Sequence, residues 1–188
     1  MSPAANVEGD EKNVGGDGKL RLFCGLRLPD GTADAIVSWQ PSLGARGRLV
    51  PRENLHFTLA FLGRQPESRV GEVTDALRRR SAETRPPVFE LERYRETRSV
   101  GMLVFSRDEG AERLALGLQR DLLGEVERER WLPHVTVCRF KEKPRLAAPP
   151  LPELGAVVTS EAAAYLSVLR SAGAEYVVLE SVRLGDVG

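Results

Sequence analysis

The chain has 188 residues, with 27 Lys and Arg against 27 Asp and Glu, two Cys and two His. That length suits one domain, or two small lobes, with a real hydrophobic core, and 41% hydrophobic with 29% charged residues is ordinary globular composition. A formal net charge of zero excludes the global positive field that drives non-specific binding to nucleic acid or membranes, so an acidic partner must be held by a local site. Cys24, His56, His134 and Cys138 stand singly, which excludes a four-ligand zinc site of familiar spacing and a disulfide framework.

No stretch approaches the roughly 20 apolar residues of a membrane span. Residues 1–18 are rich in Gly, Asp and Asn and lack the basic start and apolar run of a signal peptide. They read as a disordered leader ahead of a single bilobal domain over 19–188. Isolated cysteines without an export signal place the chain in the reducing cytoplasm. Basic charge is carried by 23 Arg and only 4 Lys; genome composition explains that bias at least as well as phosphate recognition does.

The ordered part opens with an apolar run, Leu20 to Leu28, closed by Pro29-Asp30-Gly31, which predicts a strand. Thr32 to Leu43 has helical spacing and ends at Gly44. A loop from Gly44 to Asn54 leads to a second strand, Leu55 to Leu62. Pro66 to Glu83 reads as an amphipathic helix whose Arg78-Arg79-Arg80 end suits the helix dipole and faces solvent. Val88 to Leu91 and Gly101 to Phe105 are strands around an Arg-rich connection, and Ala111 to Val126 is a helix. His134 to Phe140 is a strand introduced by Pro133, and a Pro-rich linker follows from Pro144 to Pro152. Strands over 154–159, 162–169 and 175–182 complete the chain, the last two joined by a turn at Ser171-Ala172-Gly173. This order predicts an α+β fold with mixed or antiparallel sheets, and its repetition suggests two pseudo-symmetric lobes.

The two histidines occupy matching settings. Leu55-His56-Phe57-Thr58-Leu59 and Pro133-His134-Val135-Thr136-Val137 both read His-apolar-Thr-apolar. Period-two geometry puts each His and its Thr on one strand face and the apolar residues on the other. A half-buried strand histidine is the ordinary reading of either copy alone, but it does not explain the matched pair. Two imidazoles titrating near neutrality can serve as general base and general acid for an in-line displacement at phosphorus. The Thr hydroxyls can donate to the non-bridging oxygens. No nucleophile elbow, phosphate loop or metal-carboxylate cluster competes with this reading.

These residues resemble the two-histidine phosphoesterases, and more closely the RNA 2′,3′-cyclic phosphodiesterases historically called 2′-5′ RNA ligases. The likeness extends to the first strand Arg21 to Leu26, to Glu53-Asn54-Leu55-His56-Phe57-Thr58-Leu59-Ala60-Phe61-Leu62-Gly63, and to Trp131-Leu132-Pro133-His134-Val135-Thr136-Val137-Cys138-Arg139. It ends with the hairpin around Leu166 to Tyr176. The resemblance implies two lobes, each a sheet with helices on its outer face, and a cleft between the sheets. It implies hydrolysis of RNA 2′,3′-cyclic phosphate ends to 2′-phosphomonoesters without metal or other cofactor, with reversible 2′-5′ ligation as a further activity. His56 and His134 would be catalytic, the first as acid on the leaving 3′ oxygen and the second activating water. Thr58, Thr136 and Arg139 would hold the phosphate.

Strand parity argues against Arg139, which lies five residues after His134 and would point away from the cleft unless a strand end or bulge re-aims it. Phe61, at the same odd step from His56, reads as core rather than as a base platform. Cys138 shares the His134 face by parity, although an inert buried thiol is the simpler reading. Gly25, where the family commonly has Ala, reads as a packing change. Arg46, Arg48 and Arg52 before the first motif and Arg128 and Arg130 before the second could form a phosphate-steering rim. The expected partner is RNA with a cyclic phosphate terminus, or a small cyclic nucleotide, with contact confined to the terminal phosphate. No membrane partner is expected, and the expected state is a monomer. The alternatives are a phosphodiesterase for ADP-ribose cyclic phosphate and a non-catalytic RNA-end binding module.

Overall fold

The structure, a computed structural model, describes residues 18–124, 126, 130–171 and 173–185. The predicted leader, Arg128 and Ala172 of the hairpin turn therefore lie outside the described residues, apart from Gly18. Strand β1 (Lys19–Arg27) is followed by helix α1 (Asp30–Trp39). The α-helix stops short of the predicted Leu43 because Pro41 has no N–H to donate, and a 3₁₀ turn covers Gln40–Leu43 instead. A two-residue strand, β2 (Arg48–Leu49), interrupts the predicted loop before β3 (His56–Pro66). Helix α2 (Val70–Ala82) precedes β4 (Val88–Phe89), β5 (Leu91–Glu96) and β6 (Val100–Phe105).

Strand β5 occupies the segment read as an Arg-rich connection. It is the terminal strand of its sheet, and Glu92, Arg93 and Arg95 are exposed there, as suits an edge strand, so it carries no apolar run to betray it. Helix α3 (Glu109–Leu123) starts two residues early because the Asp108 carboxylate accepts the Ala111 N–H at 2.9 Å. It ends at Gly124, whose φ of 75° is a left-handed cap. Strands β7 (His134–Arg139), β8 (Val157–Val158), β9 (Glu161–Arg170) and β10 (Gly173–Arg183) follow. The Pro-rich segment 144–152 has no regular structure, but Trp39 donates to the Pro150 carbonyl at 2.7 Å and Arg46 to that of Ala147.

All described ladders are antiparallel. One path runs β10-β9-β1-β3-β7-β6-β5, with β2 added beside β7, and β4 and β8 form a separate pair. The first four strands make one lobe and the last three the other. The lobes meet where β3 and β7 pair, at a single register position, Phe57 opposite Val135. Phe57 is fully buried there, its ring centroid 4.6 Å from that of Phe89 and 5.0 Å from that of Phe105. Helix α2 covers β9 and β10, and α3 covers β3. Trp39 of α1 meets Tyr94 of the other lobe edge to face at 6.2 Å. The α+β bilobal expectation holds, with helices outside and both His-bearing strands at the seam. No helix among the described residues is long and apolar enough to cross a membrane.

Candidate active site

The two histidines open β3 and β7, and each is seated by the same local device. His56 Nδ1 lies 2.7 Å from the carbonyl of Asn54, and His134 Nδ1 lies 2.9 Å from the carbonyl of Leu132. In each case the acceptor is two residues upstream, so in the neutral rings Nδ1 carries the proton and Nε2 is the free base. His56 Nε2 is 3.0 Å from Thr58 Oγ1, which places the threonine hydroxyl as donor to the ring.

An aromatic cage holds the His56 ring: Phe23 at 4.9 Å, Tyr176 edge-on at 5.4 Å and Tyr165 at 5.9 Å between centroids. Burial in this cage pushes the His56 pKa down to about 4. The Asn54 carbonyl opposes that shift, while the positive fields of His134 and Arg139 add to it. His56 is therefore neutral at pH 7 in the free protein. The carbon frame beneath the ring is equally tight. A Cβ on Gly25 would stand 3.0 Å from His56 Cδ2 and 2.8 Å from the Phe57 carbonyl oxygen, so the glycine is part of the seat rather than a neutral packing change.

His56, Thr58, Thr136 and Arg139 line one cavity of about 300 Å³. His134 and Thr58 line the adjoining one of about 320 Å³, with Trp131, Met102 and Arg95. Thr58 and Phe61 belong to both, so the paired motifs share one continuous cleft. Trp131 ties the motifs together directly: its indole N–H donates to the Thr58 carbonyl at 2.8 Å.

Strict alternation misplaces three residues, for one physical reason. In the β6–β7 ladder Gly101 faces Cys138 and Met102 faces Thr136, so Val137 is an extra, bulged residue. In the β1–β3 ladder Cys24 faces Ala60 and Gly25 faces Thr58, so Leu59 is bulged in the same way. Each bulge falls on the residue after the motif threonine and reverses the parity beyond it. Arg139 consequently lines the cavity, against the regular-strand argument. Phe61 is 44% exposed and walls both cavities, so it is not core. Cys138 turns away from the cleft: it is fully buried, with Sγ 3.7 Å from the Tyr94 hydroxyl. Burial pushes its thiol pKa up, and burial pushes that of Cys24 up to about 12.

The expected arginine rim survives only in part. Arg46 is buried and ion-paired with Glu96 at 2.9 Å, with its guanidinium carbon 5.8 Å from the Tyr94 ring centroid, so it braces the second lobe. Arg52 pairs with Asp30 and Asp34 of α1. Arg48 lines the His56 cavity and Arg130 the His134 cavity. Arg21 also lines the His56 cavity, 5.0 Å above the Phe61 ring; one Arg in an apolar strand carries no pattern, so the sequence alone does not single it out. Arg78 and Arg80 are exposed but paired, with Glu180 and Asp121 respectively. Among the described residues no three His, Cys, Asp or Glu side chains gather as metal ligands.

An antiparallel bilobal fold whose seam joins two His-apolar-Thr strands in one cleft defines the class of the two-histidine phosphoesterases. The profile of the LigT-like phosphoesterase family matches residues 26–99. TT0787 of Thermus thermophilus, a solved structure, is 30% identical and superimposes over 90% of this chain and 100% of its own, with a TM-score of 0.73. The chain belongs to the LigT-like phosphoesterase family. Escherichia coli LigT complexed with 3′-AMP has the same fold, with a TM-score of 0.75 at 24% identity over 88% of this chain and 98% of its own. The RNA 2′,3′-cyclic phosphodiesterase of Methanocaldococcus jannaschii is 34% identical over 55 residues, which is 29% of this chain and about a third (32%) of that relative's length.

Proposed function

We propose that this chain hydrolyses 2′,3′-cyclic phosphate ends of RNA to 2′-phosphomonoesters, with His56 and His134 as the acid/base pair and no metal requirement. The observation that carries the reading is the duplicated seat. Both imidazoles are anchored through Nδ1 to a backbone carbonyl two residues upstream, and both belong to cavities that meet at Thr58. A water oxygen attacks phosphorus as one ring takes its proton. The P–O3′ bond breaks, and the other ring protonates the departing 3′ oxygen. Thr58, Thr136 and Arg139 hold the non-bridging oxygens, where charge is carried through the displacement. Phe61, an exposed ring between the two cavities, offers a flat wall to the terminal base.

The acid role that the resemblance implies for His56 needs a protonated ring, whereas burial keeps it neutral in the free protein. The anionic phosphate supplies the missing field, because a negative charge against the ring raises its pKa. Incubation of an oligoribonucleotide bearing a 2′,3′-cyclic phosphate, with EDTA present, should give a 2′-phosphate end. His56→Ala and His134→Ala should each lose about 100-fold or more in turnover while remaining folded by circular dichroism. No turnover, a 3′-phosphate product or a dependence on added metal overturns the reading.

A further inference from the structure

The bulges that turn Arg139 and Phe61 into the cleft are each held from outside their ladder. A bulged residue drops out of the regular hydrogen-bonding pattern, so its backbone groups must be satisfied from elsewhere. At Leu59 the carbonyl accepts the side-chain amide of Gln119 at 2.9 Å. At Val137 it accepts the side-chain amide of Gln40 at 3.1 Å, together with the Val50 N–H at 2.9 Å. The same Gln40 nitrogen donates to the Val50 carbonyl at 2.8 Å, so one amide clamps the bulge to the chain that follows β2. Both motifs carry a bulge at the residue after threonine, and both bulges are held by a glutamine.

The two glutamines reach across the lobes. Gln40 opens the 3₁₀ turn after α1, on the chain that leaves β1 of the first lobe, and it grips β7 of the second. Gln119 belongs to α3, on the chain that leaves β6 of the second lobe, and it grips β3 of the first. Gln40 is only 4% exposed, and a buried amide is costly unless its hydrogen bonds are made. Gln119 lines the His134 cavity together with Phe61. The register pair between β3 and β7, Phe57 with Val135, precedes both motif threonines, so that pairing does not hold the bulges.

We infer that Gln40 and Gln119 are positioning residues of the cleft. Gln40 holds the Val137 bulge that turns Arg139 toward the phosphate, and Gln119 holds the Leu59 bulge that turns Phe61 toward the nucleoside. The inference rests on the phosphodiesterase reading of the same cleft. Loss of either amide leaves a buried carbonyl short of a donor. A strand that sheds its bulge to restore the ladder turns every later side chain to the opposite face.

NMR titration of the His56 and His134 ring protons reads ligand binding without turnover. Inorganic phosphate should bind Arg139→Gln about tenfold more weakly than the parent protein, the loss of one charge-assisted contact. Gln40→Met, which keeps the length of the side chain and removes its donors, should weaken phosphate binding by about threefold or more. Added to Arg139→Gln it should weaken binding no further, because the guanidinium it aims is gone. Gln40→Asn, which withdraws the amide from both carbonyls, should show the same loss and replaces the methionine variant if that one does not fold. Gln119→Met should bind phosphate as the parent does. Its preference for adenosine 2′-monophosphate over phosphate should shrink by about threefold or more, and by nothing further in Phe61→Ala, which has already lost the stacking wall. Parental phosphate affinity in the Gln40 variants, or a loss that adds in full to that of Arg139→Gln, overturns the role of Gln40. A parental nucleotide preference in Gln119→Met, or a loss that adds to that of Phe61→Ala, overturns the role of Gln119. A parent protein that binds neither ligand overturns both. The expected binding pattern without turnover of a 2′,3′-cyclic phosphate leaves both glutamines in place and overturns the phosphodiesterase reading instead.

Discussion

At the residue scale the behaviour of the cleft turns on how His56 is held. The ring is fixed by the Asn54 carbonyl, the Thr58 hydroxyl and three aromatic neighbours, and Gly25 leaves it no slack from below. Gly25→Ala forces either the ring or the β3 backbone to move by a few tenths of an ångström. Small displacements of a catalytic group are amplified in rate, so kcat should fall by about tenfold or more. Stability should fall by about 1–3 kcal/mol, the usual cost of overpacking. Steady-state kinetics beside thermal denaturation separates the two effects, and unchanged kcat would mean the ring is not held from that side. The depressed pKa makes a second prediction. Because kcat/KM reports free-enzyme ionisations and His56 must be protonated to act as the acid, its alkaline limb should set in near pH 4, where His56 titrates in the free protein. The corresponding limb of kcat should lie higher, since the bound anion raises the ring's pKa.

At the scale of elements, the His-apolar-Thr strands, their register and the three helices were legible because an apolar face fixes strand parity and helical spacing is long-ranged. What was not legible follows from interruptions of those periods. The bulges at Leu59 and Val137 reverse parity, and only a faint signal announces them: two consecutive buried apolar residues after each motif threonine, Leu59-Ala60 and Val137-Cys138. Taken together, that repeated pair places Phe61 and Arg139 at the same offset on the same face. The Trp131 bridge was also invisible, since nothing in the sequence joins it to a carbonyl 73 residues away. Trp131→Phe removes one buried hydrogen bond from the strut between β3 and the approach to β7. It should cost about 1–3 kcal/mol by stranding the Thr58 carbonyl, with kcat falling more than KM changes. Chemical denaturation and steady-state kinetics on the same variant check both. A stability loss with unaltered kcat would make the bridge purely structural.

For the whole molecule, zero net charge and an ordinary composition concealed a local concentration of charge at the seam, which only the folded ladder assembles. The seam also couples folding to pH. His56 has a folded-state pKa of about 4 against 6.5 for an unperturbed imidazole. Between those values the unfolded chain binds a proton that the folded chain refuses, so stability must rise with pH across that interval and level off above it. The exposed ion pairs lower the carboxyl pKa values of Asp34, Glu72 and Asp121, so their contribution is lost at lower pH, as those carboxylates protonate. The two sources are thus separated along the pH axis. Denaturant midpoints should increase from pH 4 to 6.5 in the parent protein, and His56→Gln, which fills much of the same space without titrating, should flatten the curve in that window. A slope that persists in His56→Gln would place the titrating group elsewhere. Saturating phosphate should flatten it too, because an anion in the cleft restores the protonated ring to the folded state and closes the gap between the two pKa values.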